Sequence, residues 1–249
     1  MTSDLQPADG ETLDRLSASR RVLQRRGGHR SGTDDVLAAW CAWQAMPDAA
    51  RVADLGGGHA AVALLLSSVL VEAEFVGVEA QELSAALGRR NLALNGLEDR
   101  ALVHHADLRD FEDAAGFDLV TGTPPFLPLG SGLLPKDPQR AAARFELRGG
   151  IEAYADAAVR LLRPGGRVSL LMDAQQDARC RGAVEAAGLH LRRLLIVEPV
   201  RHKELRFRGY VASLEAHDEP IVEERMTVRD AAGRFTPAMV AVRRRFELG

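Results

Sequence analysis

Several residue types are scarce in this chain of 249 residues, and each scarcity excludes a class of protein. The two cysteines, Cys41 and Cys180, provide neither a disulfide framework nor a metal-binding cluster, so we expect no metal and a reducing, cytoplasmic compartment. The longest apolar stretch, residues 60–71, is too short to span a bilayer, and the polar amino terminus has no signal-peptide pattern. We therefore expect no membrane partner.

An excess of positive charge is also lacking, because the formal net charge is −3. No overall field therefore attracts nucleic acid. Only Lys136 and Lys203 among the 32 basic residues are lysines, and alanine is abundant. This bias indicates codon composition, so arginine density alone is weak evidence for a polyanion partner. The arginines between residues 20 and 30 fit either a solvated face or a phosphate-binding edge.

Strand-like and helix-like segments alternate along most of the chain, and the hydrophobic fraction of 46% supports an ordinary core. The predicted strands are residues 51–55, 74–79, 101–105, 117–121, 167–172, 190–198 and 209–216. Strands that alternate with helices predict an α/β fold with a parallel sheet and right-handed crossovers. Residues 1–18 are polar, and we expect them to be disordered. We expect residues 19–249 to form one domain with a basic N-terminal extension and a C-terminal tail.

A glycine loop, Asp54-Leu55-Gly56-Gly57-Gly58, follows the first predicted strand of the sheet. Glycines let the backbone approach a ligand closely, and the helix beyond them begins with unpaired N–H groups. The spacing of Gly56, Gly58 and Ala61 also fits a dinucleotide site, and a glycine-rich turn that binds no cofactor is a further alternative.

Acidic residues end the next two predicted strands. Glu79 lies where a carboxylate can accept hydrogen bonds from both hydroxyls of a ribose. Asp107 follows the third strand and could accept a hydrogen bond from an adenine amino group. A solvated acid at a strand end is the alternative for both residues.

The segment Thr123-Pro124-Pro125-Phe126 follows the strand over residues 117–121. Each proline removes a donor from the strand ladder, so the turn must lie at the carboxyl end of the strand, where open α/β sheets bind ligands. The next segment, residues 127–144, is a long loop rich in glycine and proline, and such loops are more often functional than accidental.

This combination of motifs resembles the class I S-adenosylmethionine-dependent methyltransferases over residues 32–216, and the Arg163-Pro164-Gly165-Gly166 turn is typical of them. The resemblance implies a Rossmann-like class I methyltransferase fold, with a mostly parallel seven-stranded sheet and helices on both faces. It also implies S-adenosyl-L-methionine as the cofactor. The implied cofactor-binding residues in these motifs are Asp54, Gly56, Gly58, Glu79 and Asp107.

The Thr-Pro-Pro-Phe turn resembles the Asn-Pro-Pro-aromatic signature of amino-group methyltransferases. The lone pair of an exocyclic amino nitrogen is conjugated with its ring, so two hydrogen-bond acceptors must hold the nitrogen and relieve its charge as it attacks. The resemblance assigns acceptor roles to Thr123 and Pro124 and substrate stacking to Phe126. The threonine hydroxyl is shorter than the asparagine amide but retains acceptor lone pairs.

Segments outside the sheet resemble the bacterial tRNA(Val) adenine-N6 methyltransferases of the methyltransferase small domain group. They are residues 28–37, 143–146, 201–203 and 229–237. The resemblance implies that Thr33 and Asp34 help to close the cofactor pocket, and that tRNA adenine N6 is the target. We expect basic residues to hold the RNA phosphates. The candidates are Arg25, Arg26, Arg30, Arg201 and Lys203.

Two alternatives remain open. The same acceptor pair suits a protein glutamine amide or a small-molecule amine, and the unusual threonine also fits a non-catalytic module that binds S-adenosylmethionine and RNA. The sequence carries no signal for an oligomeric state.

Overall fold

A large, mostly parallel sheet with helices on both faces forms the centre of the protein in its computed structural model, which describes residues 5–200 and 206–249. The strands are β1 (Glu11–Arg15), β2 (Arg21–Arg25), β3 (Arg51–Leu55), β4 (Glu74–Glu79), β5 (Ala101–His105), β6 (Phe117–Gly122), β7 (Leu162–Asp173), β8 (His190–Val200), β9 (Phe207–Ser213) and β10 (Val222–Arg229). The α-helices are α1 (Thr33–Ala45), α2 (Ala61–Leu66), α3 (Glu82–Leu94), α4 (Pro138–Arg144), α5 (Ile151–Leu161), α6 (Asp177–Ala186) and α7 (Pro237–Arg245).

The sheet has the order β10-β8-β9-β7-β6-β3-β4-β5, and β9 alone runs antiparallel to its neighbours in it. All six residues of β6 are buried, as expected of a central strand covered on both faces. One apolar cluster packs α1, α2, α3 and α7 against the sheet. A second cluster packs α5 and α6 against the other face. The prediction of a Rossmann-like α/β fold is therefore confirmed.

The predicted number of seven strands is wrong, because the sheet has eight. The additional strand is β10, which lies parallel to β8 at the edge. Its sequence is rich in charged residues, and only Met226 and Val228 are buried, so its hydrophobic pattern is weak. Charged residues are common on edge strands because they discourage pairing with other chains.

A hairpin of β1 and β2 occupies part of the segment that was expected to be disordered. Val22 and Leu23 of β2 are fully buried. The side chain of Asn91 on α3 holds the hairpin, because Asn91 Oδ1 accepts a hydrogen bond from the Leu23 amide at 2.7 Å, and Asn91 Nδ2 donates one to the Leu23 carbonyl at 3.1 Å. Asn91 thus holds β2 in place, and residues 11–15 pair with β2 along their whole length.

Helix α4 lies within the long loop that follows β6. Asp137 caps it, since Asp137 Oδ1 accepts a hydrogen bond from the Arg140 amide at 2.9 Å. None of the described helices is long and apolar enough to cross a membrane.

Candidate active site

A cleft of about 1170 Å³ lies at the carboxyl ends of the parallel strands. It brings together the glycine loop, the acidic strand ends, the Thr-Pro-Pro-Phe turn and the segment before α1, but not the Arg163-Pro164-Gly165-Gly166 turn. The sequence-predicted residues that line it are Arg26, Arg30, Thr33, Asp34, Asp54, Gly56, Gly58, Glu79, Asp107, Thr123, Pro124 and Phe126. Arg25 does not line the cleft, and Arg201 and Lys203 lie outside the described residues.

The glycine loop has a backbone that only glycine adopts easily. Gly56 has a φ of 61° and Gly58 a φ of 56°. A Cβ at Gly56 would also lie 2.1 Å from the hydroxyl oxygen of Tyr154 on α5. The same ring lies against Gly122 at the end of β6, where a Cβ would lie 2.8 Å from Tyr154 Cδ1. Tyr154 therefore packs against both loops of the cleft, and sequence reasoning missed it because it reads as one more buried residue of an amphipathic helix.

Asp54 and Glu79 form a pair of buried carboxyl groups behind the glycine loop. Glu79 is tethered, because its Oε2 accepts a hydrogen bond from the Gly58 amide at 3.0 Å and its Oε1 accepts one from the Gln81 amide at 2.6 Å. Burial raises its pKa despite these bonds. Asp54 Oδ2 is buried and has no hydrogen-bond partner within the described part of the chain. Burial, and then the charge of Glu79, raises the pKa of Asp54 to about 7.

Asp107 is engaged differently from the other acids. Its two carboxylate oxygens accept hydrogen bonds from the Arg109 side chain, at 2.9 Å to Nε and 2.6 Å to Nη2. These bonds lower the pKa of Asp107. A ligand amino group must therefore share oxygens that already accept from an arginine.

The start of α1 brings a second acidic pair to the cleft. Asp35 Oδ2 accepts a hydrogen bond from the Gly32 amide at 2.8 Å and so caps the helix. Burial, and then the negative charge of Asp34, raises the pKa of Asp35 to about 8. Thr33 and Asp34 lie beside it on the cleft surface.

Two histidines that sequence reasoning missed also line the cleft. The rings of His29 and His59 lie 6.4 Å apart between centroids, in an edge-on arrangement. Burial lowers the pKa of His59 to about 3, so this ring is neutral. His59 Nε2 has no hydrogen-bond partner among the residues that the structure describes. The glycine loop before His59 was recognisable from the sequence. The single histidine that follows it gave no indication of a functional role.

The Thr-Pro-Pro-Phe turn directly follows β6. The hydroxyl oxygen of Thr123 is buried and has no hydrogen-bond partner in residues 5–200 and 206–249. Phe126 is half-buried, and its ring lies 5.7 Å from that of Phe207 between centroids. Gln176 Nε2 donates a hydrogen bond to the Phe126 carbonyl at 2.5 Å and so fixes the turn. The turn thus offers an unused acceptor beside an aromatic pair.

Two of the predicted RNA-binding arginines make ion pairs within the protein. Arg25 pairs with Asp137 before α4 at 2.8 Å, and Arg30 pairs with Asp14 on β1 at 2.9 Å. Arg26 lines the cleft, and its side chain donates a hydrogen bond from Nε to the Glu11 carbonyl at 3.3 Å. No group of three or more His, Cys, Asp and Glu residues in the described part of the chain is placed to hold a metal ion.

The fold and the cleft define a class I methyltransferase whose cofactor is S-adenosylmethionine. The family model for the methyltransferase small domain matches residues 38–132. The tRNA1(Val) (adenine(37)-N6)-methyltransferase of Porphyromonas gingivalis (strain ATCC 33277) is 30% identical, over 85% of this chain and 86% of that protein. The protein of the same name from Musicola paradisiaca is 27% identical, over 99% of this chain and 97% of that protein. The chain therefore belongs to the methyltransferase small domain family.

Solved structures show the same fold. A predicted O-methyltransferase from Agrobacterium tumefaciens superposes with a TM-score of 0.62 at 19% identity, over 86% of this chain and 96% of that chain. TYW2 of Pyrococcus horikoshii, crystallised in complex with MeSAdo, superposes with a TM-score of 0.57 at 13% identity, over 82% of this chain and 72% of that chain.

Proposed function

We propose that the protein transfers the methyl group of S-adenosylmethionine to the N6 amino group of an adenine in tRNA. The observation that carries the proposal is the buried Thr123 hydroxyl, which has no partner in the described structure and lies in the turn after β6. A buried acceptor without a partner is costly, so a ligand donor is a natural partner for it. The names of the relatives from P. gingivalis and M. paradisiaca support adenine N6 of tRNA as the target.

The cofactor fits the residues on the glycine-loop side of the cleft. The backbone of Gly56 and Gly58 allows the cofactor to approach closely. Asp54 Oδ2 has no hydrogen-bond partner within the described residues, and a cationic group of the cofactor could supply one. Glu79 is fixed by two backbone amides and keeps further lone pairs for ribose hydroxyls. We assign adenine recognition to Asp107. We assign closure of the pocket beside α1 to Thr33 and Asp34.

The bound cofactor supplies an electrophilic methyl group, and the protein supplies position and hydrogen-bond acceptors. In the proposed reaction, the adenine amino group donates one hydrogen bond to Thr123 Oγ1 and another to the Pro124 carbonyl. These acceptors stabilise the positive charge that develops on the nitrogen as it attacks. Phe126 offers a face for the adenine ring, and the Phe207 ring packs against Phe126 at an interplanar angle of 49°.

The RNA-binding residues that were predicted from the sequence remain part of the proposal, but not all of them are equally available to RNA. The ion pairs of Arg25 and Arg30 give these residues structural partners, whereas Arg26 lines the cleft without an ion pair in the described chain. Arg201 and Lys203 keep their proposed role. A tRNA substrate and two buried free thiols are consistent with the expected cytoplasmic location.

Tritium transfer from labelled S-adenosylmethionine tests the function directly. The purified protein is incubated in parallel with bulk tRNA, bulk protein and a small-molecule extract, and the labelled tRNA is digested to nucleosides. We expect label in tRNA and its recovery as N6-methyladenosine. Label found only in protein or in small molecules would replace this function with the corresponding alternative. An absence of transfer to every substrate, with S-adenosylhomocysteine still bound, would establish a non-catalytic module.

A further inference from the structure

Exposed arginines without carboxylate partners surround the cleft. Of the arginines that line it, Arg30 pairs with Asp14. The others make no ion pair within residues 5–200 and 206–249. They are Arg26, Arg140, Arg144, Arg148, Arg206 and Arg229. The cleft is also lined by acidic residues, but these six exposed guanidinium groups make no ion pair with them within the described residues and can bind an external anion. The acidic residues are Asp34, Asp35, Asp54, Glu79, Asp107 and Asp173.

These arginines lie on two sides of the Thr-Pro-Pro-Phe turn. Arg206 precedes β9 and Arg229 ends β10, so both lie toward the edge of the sheet that β10 forms. We call them the β10-side arginines. The cofactor-side arginines are Arg26, Arg140, Arg144 and Arg148. The sheet order places β6, which carries the turn, between β9 and the cofactor-side strands β3, β4 and β5. The proposed target base therefore enters between these two groups of arginines.

The β10-side arginines are held by stacking and not by carboxylates. The guanidinium carbon of Arg206 lies 5.4 Å from the ring centroid of Phe207, the ring that pairs with Phe126. The guanidinium carbon of Arg229 lies 4.0 Å from the ring centroid of Phe235. Arg229 donates one hydrogen bond, to the Gly233 carbonyl at 2.6 Å. A stacked guanidinium keeps the N–H donors along its edge free for an anion such as phosphate.

The cofactor-side arginines act on the interior of the cleft. Arg140 and Arg144 lie on α4, and Gln139 beside them donates a hydrogen bond to Ser84 on α3 at 3.0 Å. Burial chiefly lowers the pKa of His29, the charge of Asp34 raises it, and the charges of Arg140 and Arg144 lower it. Both arginines line the cleft and are exposed, so their guanidinium groups are available to a ligand there.

The dimensions of the cleft favour a ligand larger than the cofactor. Sites for single small molecules commonly enclose about 300–1,000 Å³. The volume of about 1170 Å³ exceeds that range, and the residues from β8, β9 and β10 extend the cleft beyond the cofactor side. Arginine binds phosphate through two parallel hydrogen bonds, and an aromatic pair beside it binds a base. Together these features match a nucleotide strand.

We propose that the two groups of arginines form a phosphate clamp for an RNA strand, with Arg206 and Arg229 holding phosphates beside the nucleotide that enters the cleft. This inference rests on the proposed function, because it assumes an RNA substrate. It also gives the eighth strand a role: β10 carries Arg229 to the rim of the cleft.

The test compares substitutions before β9 and on β10. Arg206→Ala and Arg229→Ala are paired with Arg225→Ala, which changes an exposed arginine of β10 that does not line the cleft. The affinity for a tRNA transcript is measured by filter binding at several salt concentrations. Each lost phosphate contact should reduce the slope of log affinity against log salt by about 0.7–0.9. Arg225→Ala should retain the slope of the parent protein.

Further variants separate charge from folding. Arg206→Lys and Arg229→Lys retain the positive charge and should retain most of the slope, and all variants should bind S-adenosylhomocysteine with unchanged affinity by calorimetry. Equal slopes for the parent, Arg206→Ala and Arg229→Ala would overturn the clamp while leaving tRNA methylation intact. A slope that falls equally for Arg225→Ala would also overturn it. If the parent neither binds nor methylates tRNA, the proposed function fails first and the clamp with it.

Discussion

The hydroxyl of Thr123 gives the sharpest prediction, because its removal should affect stability and catalysis in opposite directions. Thr123→Val keeps the β-branched shape and removes one oxygen. That oxygen is buried without a partner in the described chain, and such a group costs about 1–3 kcal/mol. We therefore expect valine to raise the free energy of unfolding of the ligand-free protein by about 1 kcal/mol. For a domain of this size, the melting temperature should rise by roughly 2–4 °C.

Methyl transfer should change in the other direction. In the proposed reaction, Thr123→Val removes one of two acceptors for the attacking amino group. The loss of one such transition-state hydrogen bond costs about 2.7–4 kcal/mol, so single-turnover transfer to tRNA should slow roughly a hundred- to a thousandfold. Thr123→Asn should keep or raise the rate, because the amide oxygen is also an acceptor and reaches further.

Thr121 provides a matched control. Its hydroxyl is also buried without a partner in the described chain, but it lies within β6 and does not line the cleft. Thr121→Val should stabilise the protein to a similar degree and leave methyl transfer unchanged. Transfer by Thr123→Val at the parental rate would show that Thr123 is only a turn residue. A lower melting temperature for Thr123→Val would show that its hydroxyl has a partner in solution.

Three further predictions follow from the same cleft. Phe126→Ala should weaken tRNA binding by about 1–3 kcal/mol of lost stacking and leave S-adenosylhomocysteine affinity nearly intact; a joint collapse of cofactor binding and thermal stability would identify Phe126 as a core residue. Burial raises the pKa of Asp54 from 3.8 to about 7. Between these two pH values the folded state therefore binds more protons than the unfolded state, so Asp54 lowers the free energy of unfolding as the pH rises. Asp54→Asn should therefore flatten the fall in unfolding free energy between pH 4 and about pH 7, and an unchanged pH profile in urea titrations would contradict this reasoning. Gly122→Ala should lower the free energy of unfolding by about 1–3 kcal/mol, because the new Cβ would lie 2.8 Å from Tyr154 Cδ1. Gly132→Ala is the control: its Cβ would lie 3.8 Å from the nearest atom, so it should have little effect in the same urea titration.

The parts of the cleft that could be predicted from sequence depend on chain direction and local geometry. Gly56 and Gly58 are needed because their backbone has positive φ, and Glu79 and Asp107 follow strands whose apolar pattern is clear. The carboxyl ends of parallel strands meet at one edge, so these residues converge without any knowledge of tertiary contacts. The same holds for Thr123, because prolines confine its turn to the end of β6.

The features that could not be predicted depend on contacts between distant segments. The hairpin β1–β2 is ordered by the amide of Asn91, which lies on α3. Strand β10 has too few apolar residues for a periodic pattern. Arg25 and Arg26 are adjacent in sequence, yet one makes an ion pair with Asp137 and the other lines the cleft. Only the fold distinguishes a structural arginine from one available to a ligand.

The ion pair between Arg25 and Asp137 has a consequence for the cleft. It joins the segment before α1 to the start of α4, and residues from both segments line the cleft. Both side chains are partly exposed, so the pair contributes about 0–1 kcal/mol and weakens as salt rises. A contribution of about 1 kcal/mol changes the ratio of paired to unpaired arrangements of these two segments by about fivefold. The two segments that line the cleft can therefore separate at this ion pair without unfolding the sheet, and they should separate more readily as salt rises.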